Sequence, residues 1–313
     1  MDFRPSLDRT TLLWLIGLGG VLAPYSSAQA IEPFIDQTAT LQNPGLTSGV
    51  AIGITDMNGD GLDDLVRLDN TSALEVEFQQ EDGSFVRLDY GLIGGSAWGM
   101  ALADVNGDGN TDIFAGGAYD GLKLLTANAD ATDYESSLLP GPGVFVQCAN
   151  FADIDNDGTL DLFVCNDDGI SSPYTNDGNG SFSFDFALIA AESTIPSDNS
   201  GNYGSVWSDY DSDGDLDLYI AKCRLGVQDN LDGRRVNLLF QNDGEGNYTD
   251  VAEAAGLRPL AQSWTVDFGD IDNDGDMDAI IINHDLPSGI YENMGPADMG
   301  TFVDITAQTG IAG

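Results

Sequence analysis

A nine-residue acidic loop occurs five times in this chain, and this repetition constrains the fold more than any other feature. The copies read DMNGDGLDD, DVNGDGNTD, DIDNDGTLD, DYDSDGDLD and DIDNDGDMD, and they begin at Asp56, Asp104, Asp153, Asp209 and Asp270. Each copy has oxygen-bearing side chains at positions 1, 3, 5 and 9, with Gly at position 6. Ca²⁺ takes about 6–8 oxygen ligands, and the Gly permits a sharp turn. One copy would also fit an ordinary Asp- and Gly-rich turn, but five in register predict metal loops.

The predicted ligands of about five calcium ions are the side chains at positions 1, 3, 5 and 9 of each loop, together with the backbone carbonyl at position 7. Loops 1 and 2 carry Asn at position 3, whereas the other three loops carry Asp. The side-chain ligands are Asp56, Asn58, Asp60, Asp64, Asp104, Asn106, Asp108, Asp112, Asp153, Asp155, Asp157, Asp161, Asp209, Asp211, Asp213, Asp217, Asp270, Asp272, Asp274 and Asp278.

The spacing of the loops predicts the architecture. Successive loops begin 48, 49, 56 and 61 residues apart, which is typical of propellers and solenoids. A short apolar strand enters each loop and another leaves it, so each loop is predicted to be the tip of a β-hairpin. We therefore predict an all-β protein, a β-propeller of four-stranded antiparallel blades. The acid closing each loop at position 9, with β-branched residues after it, argues against the helices of an EF-hand.

Two further strands are predicted in each unit. The third strands are predicted at 74–78, 122–126, 172–176, 237–241 and 289–293. The fourth strands are predicted at 84–90, 134–139, 181–188, 247–254 and 301–308. The blades are accordingly expected near 48–90, 91–140, 141–190, 191–257 and 258–311, within a propeller that spans residues 31–313.

The hairpins with the pattern D-x-[DN]-x-D-G-x-x-D resemble the FG-GAP or VCBS-type repeats of integrin-α-like propellers. The stretches NDGEGNYTDVAEAAGL and GTFVDITAQTGI resemble the secreted, cartilage-acidic-protein-like branch of these proteins. This resemblance implies a seven-bladed ring, of which the five visible blades would form an arc. Further blades or domains beyond Gly313 would then complete the ring. The alternative is a closed ring of five blades.

Charge and the N-terminal sequence restrict the partners and the location. The chain has 52 acidic and 10 basic residues, a net charge of −42, which argues against nucleic acid and anionic membranes as partners. Residues 1–30 are typical of a secretory signal, with an apolar core at 12–22 and cleavage near Ala30. We expect a secreted, periplasmic or cell-surface protein with no further transmembrane segment; an uncleaved anchor is the alternative.

The three cysteines give one candidate disulfide. A regular hairpin that places Ala152 opposite Asp161 also places Cys148 opposite Cys165. Oxidising compartments favour a bond between such a pair, and two buried thiols are the alternative. Cys223 is then left without a partner cysteine.

Strand order gives each propeller two faces. The calcium loops lie on one, and the loops between second and third strands lie on the other, here called the opposite face. Insertions at 190–203 and 221–236 lengthen loops on that face.

Long loops on a rigid scaffold often carry binding sites. The predicted ligand-binding residues are Trp98, Tyr203, Trp264, Arg234 and Arg235. The alternative for the three aromatic residues is that they only fill the core. The alternative for the two arginines is a solvated basic loop.

No nucleophile motif, zinc motif or phosphate loop is present, and the only histidine is His284. We therefore predict a calcium-stabilised, non-catalytic module that binds a protein or a glycan on the opposite face. A carbohydrate-active propeller, either a lectin or a polysaccharide-lyase-like enzyme, is the first alternative. A purely structural adhesion module is the second.

Overall fold

The computed structural model describes residues 35–46, 48–69, 72–95, 97–189, 200–295 and 298–310. Within these ranges the chain forms five four-stranded antiparallel sheets, and the strands of each sheet follow one another in chain order. The prediction of an all-β fold built from propeller blades is therefore confirmed. The predicted signal peptide and residues 190–199 of the first insertion lie outside the described residues.

Each sheet corresponds to one predicted blade. Blade 1 contains β1 (Ser48–Thr55), β2 (Asp64–Asp69), β3 (Ala73–Gln79) and β4 (Phe85–Leu92). Blade 2 contains β5 (Ala97–Ala103), β6 (Asp112–Gly117), β7 (Lys123–Ala127) and β8 (Tyr134–Leu138). Blade 3 contains β9 (Val146–Ala152), β10 (Asp161–Asn166), β11 (Ser172–Asn176) and β12 (Phe182–Phe184). Blade 4 contains β13 (Asn202–Ser208), β14 (Asp217–Lys222), β15 (Leu238–Asn242) and β16 (Tyr248–Asp250). Blade 5 contains β17 (Ser263–Gly269), β18 (Asp278–Asn283), β19 (Gly289–Asn293) and β20 (Phe302–Asp304).

The strand register places every acidic loop at a hairpin tip. Thr55 pairs with Asp64 in blade 1, and Ser208 pairs with Asp217 in blade 4, so position 9 of the loop begins the second strand. The far end of the first strand carries a β-bulge in each blade; in blade 5 it falls between Ser263 and Thr265, at Trp264. A bulge bends a strand and redirects its side chains. It therefore alters the direction of the side chain at Trp264.

The outer strands are shorter than predicted in blades 3 to 5. The strand expected over 181–188 ends at Phe184, and those expected over 247–254 and 301–308 end at Asp250 and Asp304. In each case an Asp carboxylate accepts a hydrogen bond from the backbone N–H two residues later, at 2.9–3.1 Å. Such a local bond turns the chain away from the sheet. After Asp304 the chain forms the short helix α1 (Thr306–Thr309).

The turns that replace these strand ends also fill space between blades. After Asp250, the chain buries Ala252, Ala255 and Leu257 in the apolar cluster shared by blades 4 and 5. The backbone confirms this packing, because the Phe302 N–H donates to the Ala255 carbonyl at 2.7 Å. Small residues in an apparently outer strand therefore serve the interface between two blades.

The blades pack face to face through their first strands. β1 contacts β5, β5 contacts β9, β9 contacts β13, and β13 contacts β17. Among the described strands, no comparable packing joins β17 to β1. The core consists of the apolar second and third strands of neighbouring blades, such as Val66 and Leu68 of blade 1 against Ile113 and Leu125 of blade 2. Burying each such side chain stabilises the fold by about 1.5–3 kcal/mol.

The face of blade 1 turned away from blade 2 carries a polar network, and no other blade among the described residues packs against it. Ile52 and Ile54 remain 59% and 69% exposed there. Nearby, Glu77 is fully buried; it pairs with Arg67 and accepts the Gln42 N–H at 2.6 Å. The side chain of Asn43 donates to Glu75 at 2.9 Å. The number of blades in the complete ring stays a prediction, since this packing describes blades 1 to 5 alone.

Candidate functional site

The first carboxylate of each loop organises the loop backbone. Both oxygens of Asp56 accept backbone hydrogen bonds, from Gly59 and Gly61 at 2.8 Å each, and Asp104 binds Gly107 and Gly109 in the same way. Burial opposes ionisation of Asp56, but these backbone donors lower its pKa below the usual value. The Asp56 carboxylate is therefore held ionised and oriented before any cation arrives.

A requirement at position 4 was not predicted. That residue adopts a left-handed backbone in all five loops, with φ of 74° at Gly59 and 64° at Asn273, for example. The other loops have φ of 72°, 60° and 58° at Gly107, Asn156 and Ser212. Gly and Asn tolerate this region best, and Ser does so at some cost. The restriction of position 4 to Gly, Asn and Ser was the sequence signal for it.

The carboxylate at position 9 has a structural role as well. In loop 3, Asp161 is buried, and its two oxygens accept the N–H groups of Ile154 at 3.1 Å and Asn176 at 2.9 Å. Asp64 and Asp112 make the equivalent pairs of bonds. The carboxylate thus joins the loop to the third strand of its blade. Each oxygen keeps a lone pair that can still face a cation.

The three carboxylates at positions 1, 3 and 9 converge in loops 3, 4 and 5, with ligand oxygens within 4.8 Å of one another. Loop 4 gives the clearest test of the fit, because buried oxygens of Asp209, Asp211 and Asp217 have no hydrogen-bond partner there. Buried polar atoms normally have partners, and a hard cation would supply one for all three. The residues therefore fit a cation with oxygen ligands.

Position 5 lies outside the convergent group of loop 3. The Oδ1 of Asp157 accepts the N–H and the hydroxyl of Thr159, at 2.8 and 2.7 Å. The other predicted ligands of this loop, Asp153, Asp155 and Asp161, do converge. A role for position 5 as a direct ligand stays a prediction.

Acidification should affect the calcium-free and calcium-loaded protein in opposite directions. Burial raises the pKa of Asp161 to about 6 and that of Asp217 to about 7, so the folded, metal-free state binds protons that the unfolded state does not. These groups therefore favour folding more as the pH falls from 7.5 towards 5. In calcium the order reverses, since protons compete with the cation. Melting curves at pH 7.5 and 5.5, with chelator and with calcium, test this; parallel shifts in both conditions would contradict it.

The loops also contact the next blade. The side chain of Asn176 in blade 3 donates to the backbone carbonyl of Val105 in loop 2 at 2.8 Å. Asn293 of blade 5 does the same to Tyr210 in loop 4, at 3.1 Å. Each bond reaches position 2 of the preceding blade's loop. The shape of a loop is therefore coupled to the packing between blades.

A cavity of about 450 Å³ opens on the opposite face, between blades 3, 4 and 5. In the first hairpin of blade 4, Asn202 pairs with Lys222 at the end near the cavity. Ser208 pairs with Asp217 at the other end, which carries the acidic loop. The cavity therefore lies at the ends of the strands that are far from the loops. Its lining residues are Asp167, Tyr203, Cys223, Arg224, Leu225, Trp264 and His284.

Two stacked rings form one wall of the cavity. Trp264 and His284 lie with ring centroids 5.0 Å apart and planes inclined by 24°. Trp264 is 45% exposed. The Nδ1 of His284 lies 3.1 Å from the Cys223 sulfur, which fixes the ring. An exposed aromatic plane of this kind can bind an apolar ligand face.

The structure separates the predicted ligand-binding residues into three environments. Tyr203 and Trp264 line the cavity, whereas Trp98 is not among its lining residues and packs edge-on against Phe145, with centroids 6.1 Å apart. Arg234 is half-buried, and its guanidinium binds Asp232 at 2.7 Å. Arg235 is buried and pairs with Asp285 at 2.7 Å, so the alternative of a solvated basic loop does not hold for this residue.

Sequence reasoning assigned no binding role to Asp167, Cys223 or His284. Each of them is the residue directly after the second strand of its blade, in blades 3, 4 and 5. This position is the same in each repeat, and it lies beside the start of the first strand, where Tyr203 and Trp264 stand. Comparing the three segments NDD, KCR and NHD would have drawn attention to it.

The predicted register of the cysteines is confirmed, because Cys148 pairs with Cys165 across β9 and β10. Both are thiols in the structure: Cys165 is buried and Cys148 half-buried, with its sulfur 3.9 Å from the Ser205 carbonyl. A disulfide between them stays a prediction. None of the described helices is long and apolar enough to cross a membrane.

The blades and their acidic hairpins define a repeat-based β-propeller. The FG-GAP-like repeat model matches residues 56–115, 104–164, 153–220 and 225–281, so this chain belongs to the FG-GAP-like repeat family. Membership of the cartilage-acidic-protein-like branch stays a prediction. A search of curated protein sequences finds no match.

Two solved structures share the fold at low sequence identity, and a third is similar only below a TM-score of 0.5. A lectin from Agrocybe aegerita, described as specifically recognising non-reducing terminal N-acetylglucosamine, is 19% identical, with a TM-score of 0.53 over 87% of this chain and 71% of that chain. A mutant of AofleA from Arthrobotrys oligospora is 10% identical, with a TM-score of 0.51 over 84% of this chain and 74% of that chain. A V. cholerae biofilm matrix protein is 15% identical, with a TM-score of 0.46 over 83% of this chain and 39% of that chain. At these identities the likeness concerns the fold alone.

Proposed function

We propose that this chain is a calcium-stabilised extracellular binding module that holds a saccharide in the cavity on its opposite face. The observation that carries the proposal is the exposed Trp264–His284 stack, next to the Tyr203 hydroxyl and the Asp167 carboxylate in one cavity. Sugar rings bind proteins by stacking an apolar face on an aromatic plane while their hydroxyls meet polar groups. The glycan-recognising lectin among the structures of the same fold is consistent with this class of ligand.

Calcium is assigned a structural role in this proposal. The convergent carboxylates of loops 3 to 5 lie at the metal ends of the strands, whereas the cavity lies at the other ends. A strand rises about 3.3 Å per residue, so the six residues between Tyr203 and Asp209 separate the two sites by roughly 20 Å. The ions would then hold the hairpins, and through them the blades, in the arrangement that forms the cavity.

The proposal describes a binding protein rather than an enzyme. Cys223 and His284 resemble a nucleophile and base, but burial raises the pKa of the Cys223 thiol to about 11. A thiol with that pKa is almost entirely protonated at neutral pH and is a poor nucleophile. Secretion through the predicted signal at residues 1–30 would place the calcium loops in a calcium-rich compartment.

The proposal is tested by replacing Trp264 with Ala and measuring binding to a glycan array in calcium. We expect the wild type to bind at least one class of glycan and Trp264→Ala to lose at least tenfold in affinity, because the stacking plane is removed. Trp98→Ala is the matched control. Trp98 occupies the equivalent bulge of blade 2 and is 39% exposed, but it lies outside the cavity. Equal losses in both variants, or no glycan binding by the wild type, would refute the proposed site.

A further inference from the structure

We propose that the cavity accepts an uncharged pyranose and rejects uronic acids. This inference rests on the saccharide binding proposed above and adds the chemical class of the sugar. A loop with free basic side chains would favour an acidic glycan instead.

The first reason is that the cation lining the cavity is already paired. One guanidinium nitrogen of Arg224 donates to the Asp167 carbonyl at 2.8 Å, and the other binds the Asp168 carboxylate at 3.1 Å. Asp168 is held from a third blade as well, since it accepts the Tyr119 hydroxyl at 2.8 Å. A sugar carboxylate would have to compete with these bonds for Arg224. Bidentate recognition of a carboxylate requires two free N–H groups on the guanidinium of Arg224.

The second reason is that the remaining bases of the 221–236 insertion are also engaged. The ammonium of Lys222, a buried residue, donates to the Gly233 carbonyl at 2.8 Å. Arg234 binds Asp232, and Arg235 binds Asp285. These basic side chains therefore already have partners among the backbone carbonyls and carboxylates of this chain. In a chain with a net charge of −42, the long-range field also repels anions.

The polar groups left for a ligand suit hydroxyls. Asp167 lines the cavity; one of its carboxylate oxygens accepts the Gln147 side chain at 3.1 Å, and the carboxylate retains further acceptor capacity. Burial raises the pKa of Asp167, so a second negative charge beside it would be costly. Among the described residues, the Tyr203 hydroxyl has no hydrogen-bond partner. It can donate to a sugar oxygen or accept a sugar hydroxyl.

The size of the cavity and its wall fit one sugar ring. Ligand cavities typically occupy about 300–1,000 Å³, and this one measures about 450 Å³. A neighbouring cavity of about 480 Å³, lined by Leu231, Val236, Glu253, Gly256, Arg258 and Leu260, has no aromatic residue in its wall. Its Arg258 pairs with Asp250 and Glu253. The Trp264–His284 stack therefore distinguishes the cavity of about 450 Å³ as the candidate sugar site.

The experiment compares matched neutral and acidic sugars. The calcium-loaded chain is applied to an array carrying glucosides with glucuronides, and galactosides with galacturonides, on identical linkers. The best neutral hit is then titrated by calorimetry. We expect the neutral member of the recognised pair to bind at least tenfold more tightly. Asp167→Asn and Tyr203→Phe should each weaken that binding by about 5- to 50-fold, the range of one hydrogen bond made in a desolvated site.

The outcomes separate this inference from the proposed function. Tighter binding of a uronic acid, lost in Trp264→Ala, would overturn the assigned sugar class and leave saccharide binding in place. Unchanged affinity in both Asp167→Asn and Tyr203→Phe would also overturn it. Binding of neither sugar class would refute the proposed function itself. Phe184→Ala, which alters an exposed aromatic residue of blade 3 outside the cavity, should leave neutral-sugar binding unchanged.

Discussion

Removal of calcium is expected to lower the midpoint of thermal unfolding by more than about 10 °C. A ligand present at 100 times its dissociation constant stabilises the folded state by about 2.7 kcal/mol per site, and 1 kcal/mol shifts the midpoint of a domain of this size by roughly 2 °C. About five sites would act together. Without the ion, the buried oxygens of Asp209, Asp211 and Asp217 have neither a partner nor compensation for their charge.

The measurement is a melting curve of the protein in 1 mM calcium and in excess chelator, at constant ionic strength. Magnesium at the same concentration is the control, because Mg²⁺ demands a tighter octahedral geometry and dehydrates reluctantly. The coupling of loops to neighbouring blades through Asn176 and Asn293 predicts that the whole propeller shifts in one transition. A midpoint that is the same with chelator and with calcium would refute the stabilising role.

Replacing Asp161 with Ala is expected to destabilise the protein even without calcium. The substitution leaves the buried N–H groups of Ile154 and Asn176 without acceptors. Each unsatisfied buried group costs about 1–3 kcal/mol, so the free energy of unfolding should fall by at least about 2 kcal/mol. The change should be visible in denaturant melts performed in chelator, where metal ligation contributes nothing.

Asp157→Ala is the matched control in the same loop. Asp157 is exposed and its carboxylate accepts bonds from Thr159 only within the loop, so its loss should leave the calcium-free stability nearly unchanged. Its effect on calcium affinity reports whether position 5 is a ligand. If the two variants destabilise the calcium-free protein equally, the structural role assigned to position 9 is wrong.

The repeated elements were predictable because each is encoded within a few neighbouring residues. The loop pattern required a hairpin, since positions 1 and 9 must approach each other, and Thr55 does pair with Asp64 across it. The Cys148–Cys165 register followed from the same local geometry. The outer strands of blades 3 to 5 were predicted too long because an Asp at or just after the end of each strand turns the chain, as Asp250 does by accepting the Ala252 N–H. The turn at this Asp is also encoded locally, but the apolar residues that follow it have the composition of a strand.

The cavity could not be predicted in full because its residues come from three blades. Tyr203 and Trp264 were identified from their common position before the loops. They line one cavity with Asp167 and His284. That arrangement depends on how far each blade is rotated relative to the next. The same packing paired Arg235 with Asp285, fifty residues away in sequence, and removed it from the surface.

The all-β repeat, the position of the acidic loops and the spacing of the blades could be read from the sequence, because strand alternation, turn chemistry and the clustering of carboxylates act over fewer than ten residues. The availability of the charges for a ligand followed only from the packing of the blades. Arg224, Asp168 and Tyr119 belong to three different blades, and the bonds to Asp168 engage a cation of the basic insertion that no local pattern shows to be paired. Electrostatic pairing depends on distance in space, and that distance is set by packing between blades rather than by any local pattern.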